Sequence, residues 1–225
     1  MTSCQARLIV IAIFATAFSA PISAQQETVA ELQAKAEQGD VEAQRGLGFL
    51  YAVGGGVPQD VAAAARWYEL AANQGDRFSQ TNLGYMYFEG RGVPQDEVAA
   101  VRWFELAANQ GNPSAQSMLG FIHFRGQGVS QDYAVAARWF ELAANQGQAD
   151  AQGRLGAMYF NGQGVPQDYV TAYMWFYLAA SRLSDADLRD LAVKGRARAA
   201  TQLTPNQLAE AQRLAREWDA AHPRD

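Results

Sequence analysis

The stretch DVEAQRGLGFLYAVGGGVPQDVAAAARWYELAANQG, residues 40–75, is written four times over in this chain. Trp67, Trp103, Trp139 and Trp175 recur 36 residues apart, and so do Gly48, Gly84, Gly120 and Gly156. Between them runs Gly-Val-Pro-Gln-Asp at 56–60, 92–96 and 164–168, with Ser130 in place of proline in the copy at 128–132. Self-similarity at a fixed period of this size marks a stacked-repeat architecture. The units are 40–75, 76–111, 112–147 and 148–183.

Each unit predicts a pair of helices. In the first, Asp40 caps a helix over 41–53 whose Ala43, Leu47, Leu50 and Tyr51 recur at helical spacing and should face inward. In the third, Asn112 caps and Pro113 fills the first turn, where its missing N–H does no harm. Gly48 stands inside the helix despite a propensity penalty of roughly 1 kcal/mol, and its return in every unit predicts a close helix–helix approach. Gly54-Gly55-Gly56-Val57-Pro58 breaks the helix. Asp60 caps a second helix over 61–74, expected to pack its alanines, Trp67, Leu70 and Ala71 back onto the first helix and onto the next unit. The four indoles read as a core spine. Arg66, Arg102 and Arg138 stand three residues before Glu69, Glu105 and Glu141, which is ion-pair spacing on an outer face. Antiparallel helix pairs stacked in series make an all-α fold, a right-handed α/α superhelical solenoid of the tetratricopeptide type.

The flanks read as an export signal and two caps. Arg7 and the apolar run 8–18, followed by Ile22-Ser23-Ala24, predict a cleavable signal peptide at 1–24, too short to span a bilayer comfortably. Cys4, the only cysteine, falls within it, so the expected mature chain has no thiol, no disulfide and no cysteine-based metal site. Residues 25–39 should form an N-terminal capping helix, starting at the Thr28-Val29-Ala30-Glu31 capping box and running over 28–38. Residues 184–225 should close the other end with a helix to about 200 and a last helix begun by Thr204-Pro205-Asn206-Gln207, with 222–225 frayed.

The net charge is −5 over the whole chain, and one unit more negative without residues 1–24. The most basic stretch, Lys194-Gly195-Arg196-Ala197-Arg198, is short and reads as a solvated helix face. Nucleic acid is therefore not an expected partner, since phosphate contacts need clustered cations. Two histidines make no zinc-type cluster, and Gly54-Gly55-Gly56 lacks the Lys-Ser/Thr of a phosphate loop. His123 replaces the tyrosine of positions 51, 87 and 159 and should fill the same pocket. No nucleophile–base–orienter set is evident, so no catalytic residue, metal or cofactor is assigned.

The pattern Ala43-Gln44, Leu47-Gly48, Tyr51, Gly54, Gly56-Val57-Pro58-Gln59-Asp60, Trp67-Tyr68 and Ala71-Ala72-Asn73-Gln74-Gly75 resembles the Sel1-like repeat family across residues 40–183. Ser181-Arg182-Leu183 departs from Asn-Gln-Gly in the fourth unit, so its second helix should run on or turn differently. The resemblance implies a protein-interaction scaffold; with the export signal it is expected in the bacterial periplasm or cell exterior, and with caps at both ends it is expected to be a monomer. Its partner would be a protein or peptide, or a cell-envelope component, with a role in envelope signalling. A cysteine-rich branch credited with β-lactam binding is not matched here. The competing function is a cell-wall- or β-lactam-directed hydrolase.

If the first helices line a concave face, as the resemblance implies, the candidate contacts are the repeat positions that vary. Positions 45, 81, 117 and 153 read Arg, Thr, Ser, Gly; positions 46, 82, 118 and 154 read Gly, Asn, Met, Arg; positions 49, 85, 121 and 157 read Phe, Tyr, Phe, Ala. Phe49, Tyr85 and Phe121 would form a contact ladder flanked by Asn82, Met118, Arg125 and Arg154. The alternative is that these rings only cover the seam between helices.

Overall fold

The computed structural model describes residues 22–223, eleven helices with no strand among them. Residues 1–21, which hold most of the expected export signal and Cys4, lie outside the described residues. The four units fold as hairpins: α2 (Val41–Val53) with α3 (Val61–Asn73), α4 (Arg77–Glu89) with α5 (Glu97–Asn109), α6 (Pro113–Arg125) with α7 (Tyr133–Asn145), and α8 (Ala149–Asn161) with α9 (Tyr169–Arg182). α1 (Ile22–Glu37) packs before them, and α10 (Ala186–Ala200) and α11 (Pro205–Ala221) follow. α1 begins ahead of the Thr28 capping box, because nothing from Ile22 onward breaks a helix.

The recurring phrases have mechanical roles. Gly54 ends α2 in the left-handed conformation, its N–H bonded to Leu50 O. Gln59 then donates from Nε2 to Ala52 O at 2.8 Å, and Gln95, Gln131 and Gln167 repeat that bond to Phe88, Phe124 and Phe160. Asp60, Asp96, Asp132 and Asp168 each accept a backbone N–H of the second helix they cap. The glycine before Val-Pro is also a spacing device. At Gly92 a Cβ would lie 2.4 Å from Val61 O, so the turn of one unit rests on the start of the previous second helix.

Close approach at Gly48, Gly84, Gly120 and Gly156 is real, but the ring filling it is not the indole. A Cβ at Gly84 would lie 2.7 Å from the Phe104 ring, and one at Gly120 2.6 Å from Phe140. Tyr68, Phe104, Phe140 and Phe176, each directly after the tryptophan, are buried, whereas Trp67, Trp103 and Trp139 are half-buried and only Trp175 is buried. Trp67, Trp103 and Trp139 therefore flank the core, and only Trp175 belongs to it. Leu70, Leu106 and Leu142 are 47–49% exposed, against expectation, because they share the outer side of the helix with Arg66, Arg102 and Arg138. Those arginines and their glutamates form no ion pair among the described residues, since such exposed pairs gain almost nothing over water.

A glutamine ladder ties unit to unit. Gln44, Gln80, Gln116 and Gln152, all buried, donate from Nε2 to the carbonyls of Ala36, Ala72, Ala108 and Ala144 in the preceding helix. Gln74, Gln110 and Gln146 then donate to Oε1 of the first three at 2.7–2.8 Å. In the fourth unit Arg182 takes that place, α9 runs one residue longer than its counterparts, and Oε1 of Gln152 is left without a partner. Arg182 turns instead to α11, bonding Asp219 at 2.6 Å and His222 O at 2.7 Å and lying over Trp218. His222 stacks on the same indole at 4.0 Å, so it is pinned, not frayed. α11 opens with the expected capping box and Pro205 in its first turn.

Candidate binding face

Neighbouring first helices meet where α2 touches α4, α6 touches α8 and α8 touches α10, while α3, α5 and α7 make no comparable contact with one another; on the other side only the C-terminal end does so, where α11 packs on α9. That places α2, α4, α6, α8 and α10 on the inner side of the curve. Along it lie three hollows. The first, about 440 Å³, is lined by Arg45, Gly46, Phe49, Tyr68, Phe78 and Asn82. The second, about 90 Å³, shares Tyr68 and Asn82 and adds Tyr85, Glu89 and Arg91. The third, about 560 Å³, lies between α8, α9 and α10.

The seven residues singled out in the sequence separate into groups. Phe49, 46% exposed, and Asn82 meet in the first hollow, although the Asn82 amide is engaged by Phe78 O within its own helix at 2.9 Å. Tyr85 is half-buried and edge-on to Phe104 at 5.1 Å. Burial raises its phenol pKa, with the Asp150 and Glu89 carboxylates adding to the effect. Phe121, Arg125 and Arg154 form a second group: the two guanidinium groups lie 5.8 and 5.0 Å from the Phe121 ring centre, and Phe88 meets that ring edge-on. Arg154 is held at 2.8 Å by Asp150. Met118 packs against the core cluster around Phe104 and Leu119. Thr81 and Ser117 are buried, so positions 45, 81, 117 and 153 run along the seam between helices.

Sequence reasoning passed over other contributors. Phe78, 47% exposed, sits beneath Arg45 at 5.4 Å and Arg77 at 5.0 Å, and Arg45 is itself paired with Glu42 and with Asp76. Its signal was an aromatic at a repeat position that otherwise reads Glu42, Ser114 and Asp150. α10 does more than cap the solenoid: Leu188 and Leu191 are 41% and 61% exposed on the wall of the third hollow. Nor is the basic stretch only a solvated face: Lys194 and Arg198 rim that hollow, and Gly195 presses on Phe176, where a Cβ would lie 2.6 Å from the ring. His123 is half-buried with Nδ1 unpartnered, and its carbonyl accepts from Asp132 as Tyr51 O does from Asp60.

Among the described residues no group of three or more His, Cys, Asp or Glu gathers as a metal set, and no helix is long and apolar enough to cross a membrane. The inner face thus offers rings, guanidinium groups and hollows, a chemistry suited to holding another chain.

Comparison with known proteins agrees with this geometry. The Sel1 repeat matches residues 41–76, 78–112, 113–148 and 149–182. A protective antigen of uropathogenic Escherichia coli displaying an SLR fold is similar at 30% identity and a TM-score of 0.66, over 89% of this chain and 54% of that one. A Sel1 repeat protein from Oxalobacter formigenes is similar at 38% identity and a TM-score of 0.67, over 76% of this chain and 49% of that one. The chain thus spans about half the length of these structures. No curated protein matches. Four matched repeats covering more than half of the residues, on an all-helical solenoid, make this chain a member of the Sel1 repeat family, whose repeats typically serve as protein-interaction scaffolds.

Proposed function

We propose that this protein is an exported, non-catalytic scaffold of the bacterial periplasm or cell exterior that holds a segment of a partner protein along its inner face, in the service of envelope signalling. The observation that carries the reading is the run of hollows along the first helices, with the exposed Phe78 ring and the half-buried Phe121 ring beneath guanidinium groups. Aromatic rings bury much surface for little lost freedom, and the planar guanidinium group of arginine adds several donors in a fixed fork. The export part rests on Arg7, the apolar run 8–18 and Ile22-Ser23-Ala24.

A photo-crosslinking residue placed at Phe49 or Phe121 in cells, with Leu106 on the outer face as control, tests the binding face. Adducts confined to the inner positions are expected. Equal yield at Leu106, or no adduct at any position, would defeat the proposal. N-terminal sequencing of the chain from a periplasmic extract should read from about Gln25 if the signal is removed as expected; an intact protein retained in the cytoplasm would refute export.

A further inference from the structure

The third hollow exists because the fourth unit lacks two side chains. Where the other units carry Phe49, Tyr85 and Phe121 there is Ala157, and where they carry Arg45, Thr81 and Ser117 there is Gly153. Both truncations line the same space. α10 then presents leucines to it, and Phe176, held between Gly156 and Gly195, forms its floor. Leu183, Leu188 and Leu191 make one wall largely apolar. A hollow of this size suits one or two large apolar side chains of a bound chain.

The rim is biased in charge. Arg154, Lys194 and Arg198 face a single carboxylate, Asp150, which already binds Arg154. Lys194 pairs with Asp190 on its own helix, across a solvated bridge of little strength. Arg198 has no carboxylate partner among the described residues; its guanidinium lies 4.9 Å from the Phe160 ring centre. Further along the inner face Arg125 lies over the Phe121 ring and likewise forms no ion pair among the described residues. On the inner helices Glu42, Asp76, Glu89, Asp150 and Asp190 stand in ion pairs and Asp185 caps α10; Asp187 has no ion pair among the described residues, against Arg125, Arg189, Arg196 and Arg198 on the positive side. The charge left uncommitted on this face is therefore positive, in a protein whose net charge is −5. Complementarity then selects an acidic partner and disfavours a basic one.

We infer that the groove between α8, α9 and α10 is an anchor site for a peptide segment of a partner protein, in which a leucine or phenylalanine enters the hollow and flanking aspartate or glutamate residues meet Arg198 and Arg154. This rests on the inner-face reading above and adds the chemistry of the partner.

The test is random-peptide display against the full chain, followed by anisotropy titration of a fluorescein-labelled recovered peptide. Recovered peptides should pair a large apolar residue with adjacent acids. Replacing those acids by lysine should weaken binding about tenfold, and rising salt should weaken binding of the acidic form. Ala157→Phe refills the hollow with the residue that units one and three already tolerate there, so it should fold as the parent does by circular dichroism yet lose the peptide. Arg198→Glu, an exposed change, should reject the acidic peptide and accept the lysine version. If peptides bind and Phe49→Ala or Phe121→Ala abolishes capture while Ala157→Phe and Arg198→Glu do nothing, the anchor site is wrong and the inner-face reading stands. Binding indifferent to the charge swap likewise overturns the acidic partner. Binding sensitive only to Leu106→Glu, or none recovered, overturns both. Saturable oleate binding with no peptide enrichment would assign the hollow to a free carboxylated lipid and sink the inference.

Discussion

Single side chains in this protein are separated by one position along the helix into core and flank. Phe104 is fully buried against Gly84, whereas Leu106, two residues on, is 49% exposed. Phe104→Ala should therefore lower unfolding free energy by about 3–5 kcal/mol, while Leu106→Ala should stay within about 0.5 kcal/mol; urea unfolding of both variants checks the contrast. Equal losses would mean that the outer leucines carry load. Burial also pushes the Tyr68 phenol from 10.0 up to about 12. The fold thus prefers the protonated ring. Its contribution is fully present below pH 10 and lost as pH rises through about 12. Tyr85 and Tyr159 are raised too and act in the same direction. Alkaline unfolding should flatten in Tyr68→Phe, followed by ellipticity against pH; an unchanged profile would remove Tyr68 from the account.

Among the elements, the helix starts are informative because one of them is deficient. α2, α4 and α6 are capped by Asp40, Asp76 and Asn112, each accepting a backbone N–H, but Gln148 at the head of α8 makes no such bond. Its longer side chain reaches the Ser114 hydroxyl instead, at a weak 3.5 Å. Gln148→Asp should restore the missing acceptor and raise stability by about 0.5–2 kcal/mol, read from thermal or urea unfolding; destabilisation would show that the Ser114 contact matters more than the cap. The same comparison across units explains the last hairpin. Arg182 cannot close the glutamine ladder, so it is free to clamp α11 through Asp219, His222 O and the Trp218 face. The break in the repeat is what attaches the terminal helix.

At the scale of the molecule, stability is a sum over neighbouring hairpins, because each unit touches mainly the units beside it. Central helices have two such neighbours and the outermost have one. Native-state hydrogen exchange should then be slowest in α5, α6 and α7 and faster toward α1 and α11. Uniform protection along the chain would instead indicate one all-or-none unit.

Much of this was legible without coordinates, and the legible part has a common physical origin. The repeat, the helix pairs, the Asp caps, the glycine stops and the close approach at Gly48 all follow from interactions within a turn or two, or from a pattern written four times. Residues 184–221 could be read in the same way, as two helices with a capping box. What could not be read was which neighbouring position faces in: Trp103 and Phe104 are both large rings on one helix, and only the angle at which α5 meets α4 puts Phe104 over Gly84. The aromatic column 49, 85, 121 was visible, but its members fell into separate groups because Tyr85 leans on Phe104 while Phe121 is taken by two arginines. The groove at α10 was invisible for a related reason. It is made of missing side chains, Gly153 and Ala157, opposite leucines that follow them by 26 to 38 residues in the chain. Local pattern reports what a residue contributes, and a cavity is defined by what distant elements leave unfilled when they pack.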